Sequence, residues 1–247
     1  MCGIIGINSN KSVSATIINS LKKLEYRGYD SAGLATLNND VIDEKKCTGR
    51  VEELEKILFN NPSKGNLGIG HVRWATHGVP NKVNAHPHST DIVSVVHNGI
   101  IENSDELKKK IELKKLKFKS QTDTEVITLL ITEFLKNNNP LESVFKTLKE
   151  LKGSFALGII FKNDKNIIIG ARRGSPLAVG YSQSENYLGS DSYALKSMTN
   201  KISYLDDGEL CMISKSDVSF FDAKRKKINK KVHIVSDEKN TSEKGDY

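Results

Sequence analysis

The sequence is poor in cysteine and has no long apolar run. Its 247 residues include three cysteines, Cys2, Cys47 and Cys211, which are too few and too scattered for a disulfide framework. A reducing, cytoplasmic location is therefore expected. No stretch approaches the ~20 apolar residues of a membrane helix, so no membrane association is expected. No internal repeat or clear linker divides the chain, and residues 1–247 are predicted to form one domain.

Positive charge is in excess and is concentrated in two segments. The formal net charge is +7, and lysines cluster in residues 108–119 and 224–231. Such clusters occur in nucleic-acid-binding modules, and a basic module of that kind is the alternative function from another class. In the first cluster Leu107 and Ile111 recur at near-helical spacing, so the lysines can occupy the solvated face of a helix. Because no recognised nucleic-acid motif is present, we predict no nucleic-acid partner.

The apolar pattern predicts helices early and in the middle of the chain, and short strands in the second half. Thr122 and Glu125 fit a capping box, Ser12 is a plausible cap, and Pro140 after Asn139 suits the first turn of a helix. Several predicted strands are continuous apolar runs, which is typical of strands covered on both faces. The sequence therefore predicts an α+β fold with sheets sandwiched by helices.

Cys2 can combine a nucleophile and a base in one residue. If Met1 is removed, its thiol (pKa ~8.5) and its α-amino group (pKa ~8) both titrate near neutral pH. An amine can activate the nucleophile of its own residue, although a cysteine is more commonly a small buried apolar side chain. The following residues 3–7, Gly-Ile-Ile-Gly-Ile, predict a buried strand that would hold this end of the chain inside the fold.

Polar segments between the apolar strands supply further candidates. Asn98-Gly99 is either a hairpin turn or an oxyanion hole built from a side-chain amide and an unencumbered backbone N–H. Arg73 is either a structural ion-pair residue or a bidentate ligand for a carboxylate. Asp123 either complements a helix dipole or binds a substrate ammonium group. The sequence alone leaves these alternatives open.

The histidines raise the possibility of a metal site. His86 and His88, with His77 and Asp91, could in principle supply ligands. No Cys-x-x-Cys or His-Glu-x-x-His pattern accompanies them, and the intervening proline restricts their geometry. We therefore predict neither a metal nor another cofactor.

These segments together resemble the class-II glutamine amidotransferases, which are N-terminal-nucleophile hydrolases with a four-layer αββα sandwich. The likeness spans nearly the whole chain and is closer to the branch that transfers ammonia to a sugar phosphate than to the phosphoribosyl-transferring branch. Its motifs are the opening Met-Cys-Gly-Ile-Ile-Gly and residues 24–33, 71–78, 84–88, 97–103, 122–126, 174–177 and 190–191.

The resemblance implies roles for the candidates. Cys2 would attack the side-chain amide of glutamine, with its own α-amino group moving the proton. Asn98 and the N–H of Gly99 would hold the oxyanion. Arg73 would bind the α-carboxylate of glutamine and Asp123 its α-ammonium group.

The resemblance also implies residues around this centre. Thr76 and His77 would add polar contacts to glutamine, and Arg27 would support the surroundings of the nucleophile. Residues 73–81 would close over the substrate and exclude water, with Trp74 near the exit for ammonia.

A further half of the protein is implied as well. In the resembled enzymes a sugar-isomerase half follows the glutaminase domain, so we expect one after residue 247. Fructose 6-phosphate would be a partner only through that half, and the full-length enzyme would be a homodimer. The alternative is the glutaminase half of another synthase, such as one acting on a phosphoribosyl substrate.

Overall fold

The computed structural model describes residues 2–75, 78–113 and 116–235. Its helices are α1 (Ser14–Leu24), α2 (Val51–Asn60), α3 (Ser104–Glu112), α4 (Thr124–Leu135), α5 (Pro140–Glu150) and α6 (Ser192–Leu195). The strands of the first half are β1 (Gly3–Asn8), β2 (Ser31–Asn38), β3 (Val41–Thr48), β4 (Leu67–Arg73), β5 (His88–Ser89) and β6 (Val93–Ile101). The strands of the second half are β7 (Gly153–Phe161), β8 (Asp164–Arg173), β9 (Ala178–Tyr181), β10 (Asn186–Gly189), β11 (Lys201–Tyr204), β12 (Leu210–Ile213), β13 (Val218–Phe221), β14 (Lys227–Ile228) and β15 (His233–Ile234).

The strands form two antiparallel sheets. One sheet has the order β15-β11-β9-β10-β1-β4-β2-β3, and the other has the order β14-β13-β12-β8-β7-β6-β5. β1 lies in the interior of the first sheet, between β10 and β4. The opening apolar run is thus a buried central strand, as its composition predicts, and it fixes Cys2 at one end of the sheet.

Three apolar clusters fill the three interfaces between four layers, which are helices, sheet, sheet and helices. Side chains alternate along each strand, so successive residues face opposite layers. In β1, Ile5 packs with α1 residues such as Ile17, whereas Ile4 packs between the sheets with Ile160 of β7. A third cluster lies between the second sheet and α3, α4 and α5, where Leu157 meets Val126. This arrangement confirms the predicted α+β fold and the αββα sandwich.

Helix caps depart from the sequence-based prediction. Asp123, not Thr122, precedes α4, and no side-chain cap bond forms there. Glu125 instead accepts backbone N–H groups of Lys119 and Ser120 at 2.8 and 2.6 Å. The predicted capping box is therefore wrong, because its glutamate anchors the segment before the helix.

Of the other two predicted helix starts, the one at Ser12 is wrong and the one at Asn139 and Pro140 is confirmed. Ser12 does not cap α1, because its hydroxyl donates to the carbonyl of Ser63 and Val13 is at the N-cap. The predicted start of α5 is confirmed, since Asn139 accepts the N–H of Glu142 at 2.9 Å and Pro140 opens the helix.

The lysine clusters lie among acidic side chains. Lys110 is within 3.4 Å of both Glu106 and Glu150, and Lys230 contacts Asp206 and Glu209 at 2.7 and 2.9 Å. These pairs favour the solvated-surface interpretation of the positive charge. Within the described part of the chain, no helix is both long enough and apolar enough to cross a bilayer.

Candidate active site

Cys2 lies directly before β1, beside the end of β4. The two strands are antiparallel, with Gly3 opposite Val72, so the start of one adjoins the end of the other. Trp74 follows β4, and its backbone N–H donates to Cys2 Sγ at 3.3 Å. The thiol in turn lies 3.6 Å from the carbonyl oxygen of Trp74. Strand pairing thus holds the candidate nucleophile against the start of the 73–81 segment.

The resting thiol is protonated. Burial raises the pKa of the Cys2 thiol above its ordinary value, and the hydrogen bond from Trp74 and the positive charge of Arg73 oppose this only in part. Because the thiolate is the nucleophilic form, the proton must leave when the substrate is attacked. The site therefore requires a base next to Sγ.

Asn98 and Gly99 are inside β6 and do not form a turn. They pair with Ala156 and Phe155 of β7. Gly99 has a φ of +134°, and a Cβ atom there would lie 2.1 Å from the carbonyl oxygen of Ser154. Only glycine fits this position. Any other residue would be strained at this φ, and its Cβ atom would clash with the neighbouring strand. The irregular backbone of β6 supports the oxyanion-hole alternative over the turn.

Asn98 joins the two sheets at the nucleophile. Its Nδ2 donates to the carbonyl oxygen of Cys2 at 3.0 Å and lies 3.4 Å from Ser190 Oγ. Its Oδ1 accepts from Nε2 of His71, a β4 residue, at 3.0 Å. An amide donor from the second sheet is thereby held beside the residue that carries the thiol.

A cavity of about 300 Å³ opens in front of this pair. Arg73 and Asp123 line it together with Cys2, Asn98 and Gly99. Both charged residues are nearly buried, with relative exposures of 3% and 6%. Asp123 accepts the backbone N–H of Ile101 at 2.8 Å. The cavity therefore offers one fixed cation and one fixed anion near a thiol and an amide donor.

Arg27 and Trp74 also line the cavity. Arg27 forms an ion pair with Asp191, and its guanidinium lies over the ring of Tyr26. Trp74 is about half exposed and packs edge-to-face on Tyr29 with ring centroids 5.5 Å apart. Arg27 is thus held in the cavity wall by its ion pair, and Trp74 is the more exposed of the two.

Gly28 is needed where the chain passes this wall. A Cβ atom there would lie 2.5 Å from the carbonyl carbon of Arg73 and 2.7 Å from the nitrogen of Trp74. The glycine of the Tyr-Arg-Gly-Tyr-Asp motif thus lets two segments meet behind the nucleophile. Asp30, two residues later, accepts the N–H of Ala75 and so holds the start of the 73–81 segment.

A block of buried histidines adjoins the cavity, and His86 and His97 are among its lining residues. His71 and His86 stack with ring centroids 4.3 Å apart, and His86 meets His88 edge-to-face at 4.9 Å. Burial lowers the pKa of all three, that of His71 to about 3, so they are neutral at physiological pH. His86 and His97 both bond to the hydroxyl of Thr124, at 2.7 and 2.9 Å. These contacts fix the start of α4 beside the candidate anion Asp123.

The sequence model described as "Glutamine amidotransferase domain" matches residues 74–197, about half of the chain. The chain belongs to this glutamine amidotransferase family. A glutamine–fructose-6-phosphate aminotransferase (isomerizing) of Mesorhizobium japonicum is 48% identical over 94% of this chain. The enzyme of that name in Brucella abortus is 49% identical over 94%. The chain spans 38% of the length of each of these relatives.

Solved structures share the amidotransferase fold. The glutamine phosphoribosylpyrophosphate amidotransferase from B. subtilis, complexed with ADP and GMP, superposes with a TM-score of 0.76 at 24% identity. That match covers 89% of this chain and 48% of the other. A glutamine aminotransferase class-II domain protein from Silicibacter pomeroyi gives a TM-score of 0.64 at 14% identity, covering 90% and 99% of the two chains. At these identities the likeness concerns the fold alone.

Seven of the nine amidotransferase site residues predicted from sequence line one cavity: Cys2, Arg27, Arg73, Trp74, Asn98, Gly99 and Asp123. The other two, Thr76 and His77, lie outside the described residues. Among the described residues, no group of three or more histidine, cysteine or acidic side chains has a metal-binding arrangement.

Several polar residues at this amidotransferase site had no role in the sequence-based prediction, and three of them contact the site residues or the segment that follows β4. These three are His71, which bonds to Asn98, Asp30, which accepts the N–H of Ala75, and Ser190, whose Oγ is 3.4 Å from Asn98 Nδ2. For His71 a signal was present, since a histidine inside the apolar strand run at residues 67–72 must have its polar atoms satisfied by something buried. Asp30 and Ser190 lie within motifs of the family resemblance, but their local sequence gives no comparable signal.

Proposed function

We propose that this domain hydrolyses the side-chain amide of L-glutamine to glutamate and ammonia through a thioester on Cys2. The supporting observation is that one cavity contains the thiol of Cys2, the Asn98-Gly99 donors and the pair of opposite charges on Arg73 and Asp123. Glutamine carries a carboxylate, an ammonium group and an amide, and each has a complementary group here.

The first chemical step is attack of Sγ on the amide carbon of glutamine. As the S–C bond forms, the thiol proton passes to the α-amino group of Cys2, which is free once Met1 has been removed. That amine then gives a proton to the leaving nitrogen, the C–N bond breaks and ammonia departs. Water attacks the resulting thioester, and glutamate leaves as the thiol regains its proton. A base on the same residue suits a partly buried thiol with a raised pKa.

The oxyanion of each tetrahedral intermediate would be held by Asn98 and Gly99. The Nδ2 amide of Asn98 has two hydrogens. The carbonyl of Cys2 accepts one of them at 3.0 Å, and Ser190 Oγ, at 3.4 Å, is only a long and weak acceptor for the other, which an oxyanion can replace. The other hydrogen and the N–H of Gly99 are the proposed donors. Such donors act in the transition state, and loss of one commonly lowers kcat about 100-fold to 1,000-fold.

Arg73 and Asp123 would orient the substrate. A bidentate guanidinium suits the α-carboxylate, and the carboxylate of Asp123 suits the α-ammonium group. Both charges are nearly buried, so water screens their attraction for the charged groups of a substrate only weakly. Thr76 and His77 are proposed as further polar contacts, and Arg27 as support through Asp191. The 73–81 segment is proposed to close over glutamine, with Trp74 at the exit for ammonia.

We further propose that the ammonia serves glucosamine 6-phosphate synthesis from fructose 6-phosphate in a full-length enzyme. This rests on the names of the relatives above, of which the chain spans 38%. A sugar-isomerase half, a homodimer and a cytoplasmic location are parts of the same proposal. A phosphoribosyl acceptor is the alternative, and the names of the relatives favour the sugar phosphate.

A paired alanine substitution tests the glutaminase activity. Cys2→Ala should abolish release of glutamate from glutamine, as followed by a coupled glutamate assay. Cys47→Ala is the matched control, because Cys47 is also a free cysteine but lies outside the cavity. Wild-type activity in Cys2→Ala, or equal loss in both variants, would contradict the proposal.

A further inference from the structure

His71 lies on the far side of Asn98 from the nucleophile. It belongs to β4 in the first sheet and is fully buried. Its Nε2 is 3.0 Å from Asn98 Oδ1 and also 3.0 Å from the backbone carbonyl oxygen of His97. One ring nitrogen therefore meets two adjacent acceptors of β6, across the interface between the sheets.

The carbonyl of His97 determines the tautomer of this ring. A carbonyl oxygen can only accept, so Nε2 of His71 must carry the hydrogen. That hydrogen then faces the side chain of Asn98 as well, and the Asn98 atom in contact must be the oxygen. If the amide were reversed, its NH₂ would face the N–H of His71 and its oxygen would face the carbonyl of Cys2. Both contacts would be repulsive.

The polar contacts of His71 serve only this segment. Its Nδ1 is buried and has no hydrogen-bond partner among the described residues. An apolar side chain would fill the same space without a buried unsatisfied nitrogen, which is costly. Burial keeps the ring neutral, with a pKa of about 3, so its donor and acceptor pattern does not change near physiological pH.

We infer that His71 is a positioning residue for the oxyanion hole: its Nε2–H holds the Asn98 amide with Nδ2 directed to the Cys2 side of the cavity. The inference rests on the proposed glutaminase function for its catalytic consequence. His71 touches neither the proposed substrate position nor Cys2, and it acts through Asn98. Its loss should affect the transition state, where the oxyanion forms, more than the binding of glutamine.

Two amide substitutions at His71 distinguish the effect of the Nε2–H donor from the effect of the volume of the side chain. In His71→Gln the amide nitrogen lies near the former Nε2 and can donate to the same acceptors. In His71→Asn it lies near the former Nδ1 and cannot. We expect His71→Gln to keep kcat within about threefold of wild type, and His71→Asn to lower it at least about tenfold, up to the loss for one oxyanion donor. The KM for glutamine should change little in either variant.

A double substitution identifies the route of the effect. In an Asn98→Ala background the amide is gone, so His71→Asn should lower kcat no further. Equal kcat in His71→Gln and His71→Asn would overturn the inference, as would a full additional loss in the Asn98→Ala background. Thermal unfolding of each variant shows whether the protein compared is folded.

A second measurement does not depend on activity. Long-range ¹H–¹⁵N correlation spectra of the wild-type domain report which nitrogen of His71 carries hydrogen. We expect the Nε2–H form, unchanged from about pH 8 to about pH 5 because the ring is buried and neutral. An Nδ1–H form would overturn the inference, whatever the glutaminase assay shows. Absence of glutaminase activity with an Nε2–H ring would instead contradict the proposed function.

Discussion

Replacing Asp123 with asparagine removes a charge from the cavity with little change in shape. Asp123 accepts the N–H of Ile101 through Oδ2 at 2.8 Å, and the amide oxygen of an asparagine can accept the same bond. The start of α4 should therefore stay in place. What is lost is the negative charge that we assign to the α-ammonium group of glutamine.

The size of the effect follows from the burial of this carboxylate. Asp123 is 6% exposed, so water screens it little. Two unit charges 4 Å apart at an effective dielectric constant of 20 interact by about 4 kcal/mol, which is an upper limit. A hydrogen bond to a charged group contributes about 1.5–3 kcal/mol net. At 1.4 kcal/mol per factor of ten, kcat/KM for glutamine should fall about tenfold to 100-fold.

The assay compares two substrates and two variants. Asp123→Asn should raise the KM for glutamine, yet leave hydrolysis of a glutamine analogue without the α-amino group nearly unchanged. Asp105→Asn is the matched control, because Asp105 is in the first turn of α3 with its side chain 93% exposed. An equal loss for both substrates would show that Asp123 acts through the fold. No loss for glutamine would refute its assignment to the ammonium group.

Further predictions concern the backbone of β6, the nucleophile and the histidine block. Gly99→Ala should abolish glutaminase activity and destabilise the fold. Gly49 also has a positive φ, but the space around its Cβ position is open, so Gly49→Ala should lower the free energy of unfolding in denaturant by only about 1–3 kcal/mol. Alkylation of Cys2 in ligand-free protein should be slow at pH 7 and accelerate only above the ordinary thiol pKa, because burial raises its pKa; rapid reaction at pH 7 would contradict this. The free energy of unfolding should fall below about pH 6.5, by about 1.4 kcal/mol per pH unit for each buried histidine, because the unfolded chain takes up protons that the folded chain excludes. The slope should be smaller in His71→Gln, since the pKa of His71 is lowered to about 3 in the folded state; equal slopes would contradict it.

The layered fold was predictable because its signals are local and repeated. Continuous apolar runs such as Phe155 to Phe161 indicate strands buried on both faces, and the two sheets cover each other as expected. The start of α5 was predictable for the same reason, since Asn139 and Pro140 act on adjacent residues.

The failures arise where a side chain has a distant partner. Glu125 matches a capping pattern but binds the segment before its helix. Asn98-Gly99 has the sequence of a tight turn, yet pairing with β7 keeps it extended in a strand. The resemblance to a known family implies a site role for Asn98, and Asn98 does line the cavity. Nothing in the sequence shows that His71 faces it from another sheet. Such contacts depend on how the sheets pack.

The central claim is that Cys2 is a nucleophile whose own α-amino group is the base. Intact-mass spectrometry on two preparations, one processed to begin at Cys2 and one retaining Met1, paired with a glutamine hydrolysis assay, tests it most directly. The processed protein should release glutamate and ammonia and form a transient adduct on Cys2, while the Met1-bearing protein should be inactive because its amine has become an amide. Equal turnover by both preparations would contradict the claim.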